Sequence, residues 1–322
     1  MTRKMFSMML IASMSMLTAC SQDNFDDYYN NWNNSGTNNM SGGGSGNATA
    51  GSGELTTFTI SIDKTTAEPT ATAEAYYPDE EDMLENNTFT TEVSIDLSNP
   101  TAKTENGVTV TVNGGHITAN HSTTKSVCYV LSGTTSNGSF TVVGDKKYAV
   151  KLNGVSITNP DSAALNLLSG KRAYIVLADG TTNTLADGTS SKNSHKGALY
   201  CKGKLLFNGN GSLEVTGNYN NGIHSADYIV FSTGNNVYVK STANHGIKAN
   251  DGVFINGGII NVEVSAAAAK GINCESDIII NGGRTTVITT GDGMYPVRSD
   301  HPRIRCESTL VFSRSPKKAG SG

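Results

Sequence analysis

Ala198-Leu199-Tyr200-Cys201 restarts as Gly222-Ile223-His224-Ser225, then as Gly246-Ile247-Lys248-Ala249 and Gly271-Ile272-Asn273-Cys274. The intervals are 24, 24 and 25 residues, and Arg303-Ile304-Arg305-Cys306 reads as a fifth copy 32 residues further on. Other columns keep the same phase. Leu205, Ile229, Val253, Ile278 and Leu310 form a second, and Phe207, Phe231, Ile255, Ile280 and Phe312 a third. Asn208-Gly209, Asn256-Gly257 and Asn281-Gly282 punctuate the units at one place, where turns needing positive φ belong.

A unit this short, built of period-2 runs with no helical period, cannot be a βαβ repeat. The L-x-x-L-x-L-x-x-N pattern of leucine-rich repeats is absent, and in-phase columns argue against a hairpin array. Coiling the chain lets the strands of successive units pair in parallel, with like residues stacked about 4.8 Å apart around a continuous core. The expected fold is all-β: a right-handed parallel β-helix of eight or nine rungs over residues 108–322, with an atypical or incomplete C-terminal end. Leu206, Val230, Phe254, Ile279 and Val311 alternate with the inward columns and therefore point outward. An apolar strip of that size needs a cover, and the strands expected at Phe58–Ile62 and Val93–Leu97 are the candidates. They belong to a segment, residues 54–107, expected to pack on the solenoid. The acidic loop between them, Pro78-Asp79-Glu80-Glu81-Asp82, reads as solvated.

Residues 1–19 have the form of an export signal: Arg3 and Lys4, then an apolar run from Met5 to Leu17 too short to span a bilayer. Leu17-Thr18-Ala19-Cys20 resembles a bacterial lipobox, which implies lipidation at Cys20 and a membrane anchor. Residues 20–53, nearly all Asn, Gly, Ser and Thr after Tyr28, read as a flexible tether. Asp23, Asp26 and Asp27 resemble the surface-export signal of some polysaccharide-scavenging Gram-negative bacteria, so the expected location is the outer membrane, facing outward.

Composition narrows the function. The chain holds 35 Gly, is 16% charged and carries a net charge of −4, against about 25% charged in an ordinary domain. With no basic run, nucleic acid is excluded as a partner. No G-x-S-x-G, H-E-x-x-H or P-loop is present. No C-x-x-C pair supports zinc. Cys201 and Cys274 share a small-residue column but stand three rungs apart, beyond disulfide reach. Cys274 and Cys306 fall on neighbouring rungs, where either a disulfide or two buried thiols fit.

The working surface is then the outside of the helix. One polar column runs Tyr200, His224, Lys248, Asn273 and Arg305, with Asn220, Asn221, Asn244 and His245 at the adjoining turns. Hydrogen-bonding groups repeated at strand spacing suit an extended polysaccharide, because each rung addresses a successive sugar. Asp227, Asp251 and Glu275 are candidate calcium ligands, since that ion takes six to eight oxygens. A surface adhesin contacting a protein uses the same face. A polysaccharide lyase needs clustered carboxylates and a base such as Lys248, and no tight carboxylate cluster is visible.

Residues 152–159, 176–185 and above all Gly211-Ser212-Leu213-Glu214-Val215-Thr216-Gly217-Asn218-Tyr219-Asn220-Asn221-Gly222-Ile223-His224-Ser225 resemble bacterial lipoproteins with a carbohydrate-binding domain of pectate-lyase-like β-helix type, which bind cellulose and acidic plant polysaccharides. The resemblance covers residues 54–293. It implies a parallel β-helix, calcium on acidic turns and non-catalytic polysaccharide binding at the cell surface. Two departures weaken the calcium expectation: Asn221 stands where the family often has Asp, and Asn244-His245 replaces a more acidic pair.

Overall fold

A computed structural model describes residues 15–18, 75–121, 126–290, 293–296, 304–306 and 309–314, of which 15–18, 295–296, 304–306 and 309–314 as backbone only. Nearly every strand is parallel to its neighbours, and the chain coils through about seven turns of about 25 residues. Each turn crosses three faces. Face A stacks strands such as Leu165–Leu167, Gly197–Cys201, Asn221–Ser225, Ile247–Ala249, Ile272–Cys274 and Met294–Pro296. Face B stacks Ala173–Leu177, Leu205–Gly209, Ile229–Phe231, Val253–Ile255, Ile278–Ile280 and Ile304–Cys306. Face C stacks Thr182–Asp187, Ser212–Gly217, Asn236–Ser241, Ile259–Val264, Arg284–Thr289 and Thr309–Arg314. Tyr148–Asn159 is long enough to serve B and then C, which joins those two sheets. The count falls below eight or nine because Val108–Asn113 pairs antiparallel with Gly115–His121, closing the N-terminal end with a meander instead of adding a turn. At the other end, Ser15–Thr18 lies antiparallel against the last face C strand.

The inward columns form one core. Leu199, Ile223, Ile247 and Ile272 are fully buried, as are Leu205, Ile229, Val253 and Ile278. Phe207 stacks on Phe231 with ring centroids 4.7 Å apart and planes 8° from parallel. Each such side chain contributes about 1.5–3 kcal/mol by leaving water. The small column places Ser225 Oγ so that it donates to the Gly203 carbonyl at 2.8 Å. Cys128, Cys201 and Cys274 are free thiols. At the C-to-A corner a glycine stack lets face C pack close: a Cβ on Gly222, Gly246 or Gly271 would lie 2.3, 2.2 or 2.1 Å from Cγ1 of Val239, Val262 or Val287. Positive φ occurs at Gly209, but at Gly258 and Gly283 in the later units, the second glycine of each pair.

The last turn departs from the sequence register. Ile272 pairs with Met294, not Ile304. Ile304 pairs with Ile278, and Leu310 with Thr285 on face C. Seven residues separate Pro296 from Ile304, against three between Cys274 and Ile278, and Met294-Tyr295-Pro296 is too degenerate a copy of the face A motif to show its place. Arg305 therefore leaves the polar column, and Cys306 falls in register with Ile280, not beside Cys274.

The outward apolar strip on face B is covered from within residues 54–107, by the stretch between the two expected strands. Residues 75–90 form a strap containing two short 3-10 turns, Glu80–Asp82 and Leu84–Asn86. Its Tyr77, Leu84 and Phe89 pack on a second cluster that includes Tyr174, Leu206, Val230, Phe254 and Ile279. Tyr76 adds a ring contact to Phe254 at 5.2 Å and brackets Asn256 with two backbone hydrogen bonds. Val93–Leu97 instead joins the solenoid, with Thr91–Asp96 parallel to Val127–Ser132. Phe58–Ile62 and Cys20 lie outside the described residues. The acidic loop is not merely solvated: Asp79, Glu81 and Asp82 all pair with Arg172, at 2.6, 3.0 and 2.9 Å.

Candidate functional site

The register of face A puts Asn166, Tyr200, His224, Lys248 and Asn273 in one outward row, one residue per turn, with Tyr295 at the place expected for Arg305. Period-2 alternation fixes this, because the flanking Leu or Ile and the small residue both point into the core. The row is not evenly exposed. Asn166, His224 and Asn273 are 2%, 8% and 6% exposed, while Tyr200 and Lys248 are half-buried and stand proud between them.

Neighbouring loops supply the burial. The corner between Asp187 and Gly197 is longer than in later turns and carries His195 over the row. His195 stacks on Tyr200, centroids 4.7 Å apart and planes 5° from parallel, and donates from Nδ1 to the Asn166 side-chain oxygen. Tyr200 in turn meets His224 edge-on at 5.5 Å. Three rings from two turns and a loop thus form a continuous aromatic ledge. His195 has no counterpart in the repeat. The only trace of it in the sequence is the extra length of its corner.

His245 contributes through a defined tautomer. Lys270 N–H donates to its Nδ1 at 2.9 Å, so the neutral ring carries its proton on Nε2. That proton faces the Asn273 amide 2.8 Å away, and the amide oxygen is the atom able to accept it. Asn244 donates from Nδ2 to Asn220 Oδ1 at 2.9 Å, extending a polar row along the C-to-A corner. Asn221 differs from its neighbours. It is 3% exposed and donates to the Lys196 carbonyl at 2.7 Å, which makes it a corner brace.

Electrostatically the row is close to neutral. Burial holds the His224 imidazole down at about 4, with Lys248 and Lys196 adding to the effect. Burial does the same to His245, again to about 4. Burial also lowers Lys248, whose ammonium donates to the Ala249 carbonyl at 2.9 Å and lies 3.8 Å from Glu275. At neutral pH the face presents rings, amides and one paired ammonium. His224 Nδ1 and Asn221 Oδ1 are buried with no hydrogen-bond partner among the described residues. Such atoms cost free energy unless something supplies the missing bond.

The carboxylates expected to hold calcium sit at the A-to-B corner. Asp227 and Asp251 are on consecutive turns, and burial followed by the charge of Asp227 raises the Asp251 carboxyl. Glu275 is turned toward Lys248. Among the described residues no three His, Cys, Asp or Glu side chains are gathered as a metal ion requires.

A carbohydrate-binding domain-containing protein of Acetivibrio thermocellus is 34% identical over 126 residues, which is 37% of this chain and 44% of that relative. The chain thus spans less than half of the relative's length. A solved structure, the polysaccharide lyase-like protein from C. thermocellum in a gadolinium derivative, matches with a TM-score of 0.53 and 27% identity. That match covers 69% of this chain and 96% of the other. The sequence profile of one family spans residues 104–296, more than half of the chain, and the chain belongs to that family, the carbohydrate-binding domain-containing proteins.

Proposed function

We propose that this chain is a lipid-anchored protein of the outer cell surface that holds an extended, acidic polysaccharide without cleaving it, along face A. The observation that carries the reading is the row Asn166, Tyr200, His224, Lys248 and Asn273, one outward polar residue per turn, topped by the His195–Tyr200 stack. Stacked rings offer a sugar an apolar face, and the half-buried Tyr200 hydroxyl and Lys248 ammonium, two turns apart at about 4.8 Å per turn, offer its hydroxyls hydrogen bonds. Family membership supports carbohydrate as the ligand class.

Calcium has a weaker footing. The described residues bring together the Asp227–Asp251 pair and no third carboxylate, short of the shell that ion takes. Binding is therefore assigned to the row itself.

The test is retention on a panel of insoluble polysaccharides. The protein is expected to be held by one glycan class, and Tyr200→Ala combined with Lys248→Ala to release it while the fold persists by circular dichroism. Retention that survives both changes would move the binding face elsewhere, and retention on no glycan would favour a protein partner. Anchoring at Cys20 is tested separately, by fatty-acid labelling of the wild type and Cys20→Ser and by protease treatment of intact cells.

A further inference from the structure

The corner between faces A and B is divided by charge. Three successive turns carry Lys146 and Lys147, then Lys171 and Arg172, then Lys202 and Lys204, with Asp145 as the one acid. The next three carry Asp227, Asp251, then Glu275 and Asp277, and no cation. A cleft of about 430 Å³ opens in the basic half, lined by five cations, Lys146, Lys147, Lys171, Arg172 and Lys204, and by three acids, Glu81 of the strap, Asp145 and Asp227.

One wall of this cleft already binds carboxylates. The Glu81 carboxylate sits 3.0 Å from Arg172 Nη1 and 3.6 Å from Lys147 Nζ. Asp79 and Asp82 take up the rest of the Arg172 guanidinium. The opposite wall carries Lys171 and Lys204, with Asp227 as its acid. Among the described residues no carboxylate lies within ion-pair distance of Lys171 or Lys204, and the Lys204 ammonium rests 5.2 Å above the Tyr228 ring. The strap thus satisfies Arg172 and leaves Lys171, exposed, and Lys204, half-buried against Tyr228, without an ion pair among the described residues.

We propose that this cleft is an anion subsite that takes a sugar-borne carboxylate or sulfate between Lys171 and Lys204. It rests on the polysaccharide reading and places the acidic substituent at the corner, beside the face A row and apart from it. Four residues separate Tyr200 from Lys204, about 13 Å of extended chain at most. A polymer lying along face A therefore passes within reach of the corner with its side groups.

Calorimetry with the purified protein decides it, using an oligogalacturonate, its methyl ester and a sulfated galactan oligomer of equal length. An acidic oligomer is expected to bind, the neutral ester to bind at least tenfold more weakly, and affinity to fall with added salt. Which acidic oligomer binds more tightly identifies the anion. Lys171→Ala with Lys204→Ala is expected to weaken that binding about tenfold or more, while Lys240→Ala on face C leaves it unchanged. Melting curves confirm that the variants fold. Equal binding of ester and acid, no binding of any oligomer, or wild-type affinity in the double lysine variant would overturn the proposal. The two readings fail separately. Loss of solid-glycan retention in the Tyr200 variant with intact oligomer binding leaves both standing, and lysine-dependent oligomer binding without any solid-glycan retention removes only the face A reading.

Discussion

Arg172 Nε donates to Asp82 Oδ1 across 2.9 Å, joining residues 90 apart in the chain, and the Asp82 side chain is completely buried. Tyr228 closes the network from the other side, its hydroxyl within 2.8 and 2.7 Å of the two Asp82 oxygens. A buried carboxylate deprived of its cation is strongly destabilising, typically by about 3–5 kcal/mol. Arg172→Ala is therefore expected to lower unfolding stability by about that amount in a denaturant titration. Tyr228→Phe is expected to cost less, about 1–3 kcal/mol, because Asp82 keeps Arg172. Wild-type stability in Arg172→Ala would show that the strap does not depend on this pair.

Acid sensitivity follows from three groups, His224 and Asp187 buried and His245 half-buried. His224 and His245 are held at about 4 in the fold and titrate near 6.5 when unfolded. Between those values the unfolded chain binds protons that the fold refuses, so their contribution is complete above pH 6.5 and is lost as pH falls toward 4. Asp187 acts in reverse. Burial raises it to about 6, against the Asn218 N–H donated to it at 2.5 Å, so protonation between pH 6 and 4 favours the fold. Two groups outweigh one, and the unfolding free energy is expected to fall between pH 6.5 and 4 by an amount on the order of 2 kcal/mol after solvent screening, read as a lower melting temperature. His224→Gln is expected to flatten the decline. A flat profile in the wild type would contradict the burial of these rings.

The glycine stack sets a steric limit. A methyl group at Gly246 would stand 2.2 Å from Val262 Cγ1 and 2.8 Å from the Gly271 carbonyl oxygen. Overpacking of this kind costs about 1–3 kcal/mol, and Gly246→Ala is expected to show it by thermal melting. Gly154, with nothing within 4 Å but a φ of +74°, isolates backbone strain instead. Gly154→Ala is expected to cost about 1–2 kcal/mol, the left-handed penalty alone.

Chelation separates two accounts of glycan binding. With no three metal-ligating side chains gathered among the described residues, retention is expected to be the same with calcium and with chelator. Loss of retention on chelation would require a calcium shell completed by backbone, amides and the glycan around Asp227 and Asp251.

The fold was legible where one residue type recurs at one inward position. Ile223, Ile247 and Ile272 announce a column because every turn demands the same volume there. The last turn was misread because Met294-Tyr295-Pro296 satisfies face A without resembling its predecessors, and Arg303-Ile304-Arg305-Cys306 resembles them from the wrong face. The strap was hidden for another reason. Tyr77, Leu84 and Phe89 follow no period, and the acids among them read as solvated until Arg172 is placed beside them. In the candidate site, alternation alone gave the outward direction of Tyr200, His224, Lys248 and Asn273. Their depth depends on a loop outside the repeat, so the burial of His224 and the arrival of His195 had no periodic signal.

A solenoid held only by contacts between adjacent turns can fray from an end, one turn at a time. The strap changes that for part of this one. It leaves the first face B strand at Thr91, crosses the rows of Tyr174, Leu206 and Val230, and is clipped at Tyr76 to Asn256. The turns beneath it cannot open singly without releasing a ligature common to all of them. Beyond Asn256 the strap makes no hydrogen bond among the described residues, and only Ile279 of the next turn belongs to the cluster it covers. Amide exchange should therefore show a step along the axis, with one slow, shared opening up to Asn256 and faster, graded opening past it.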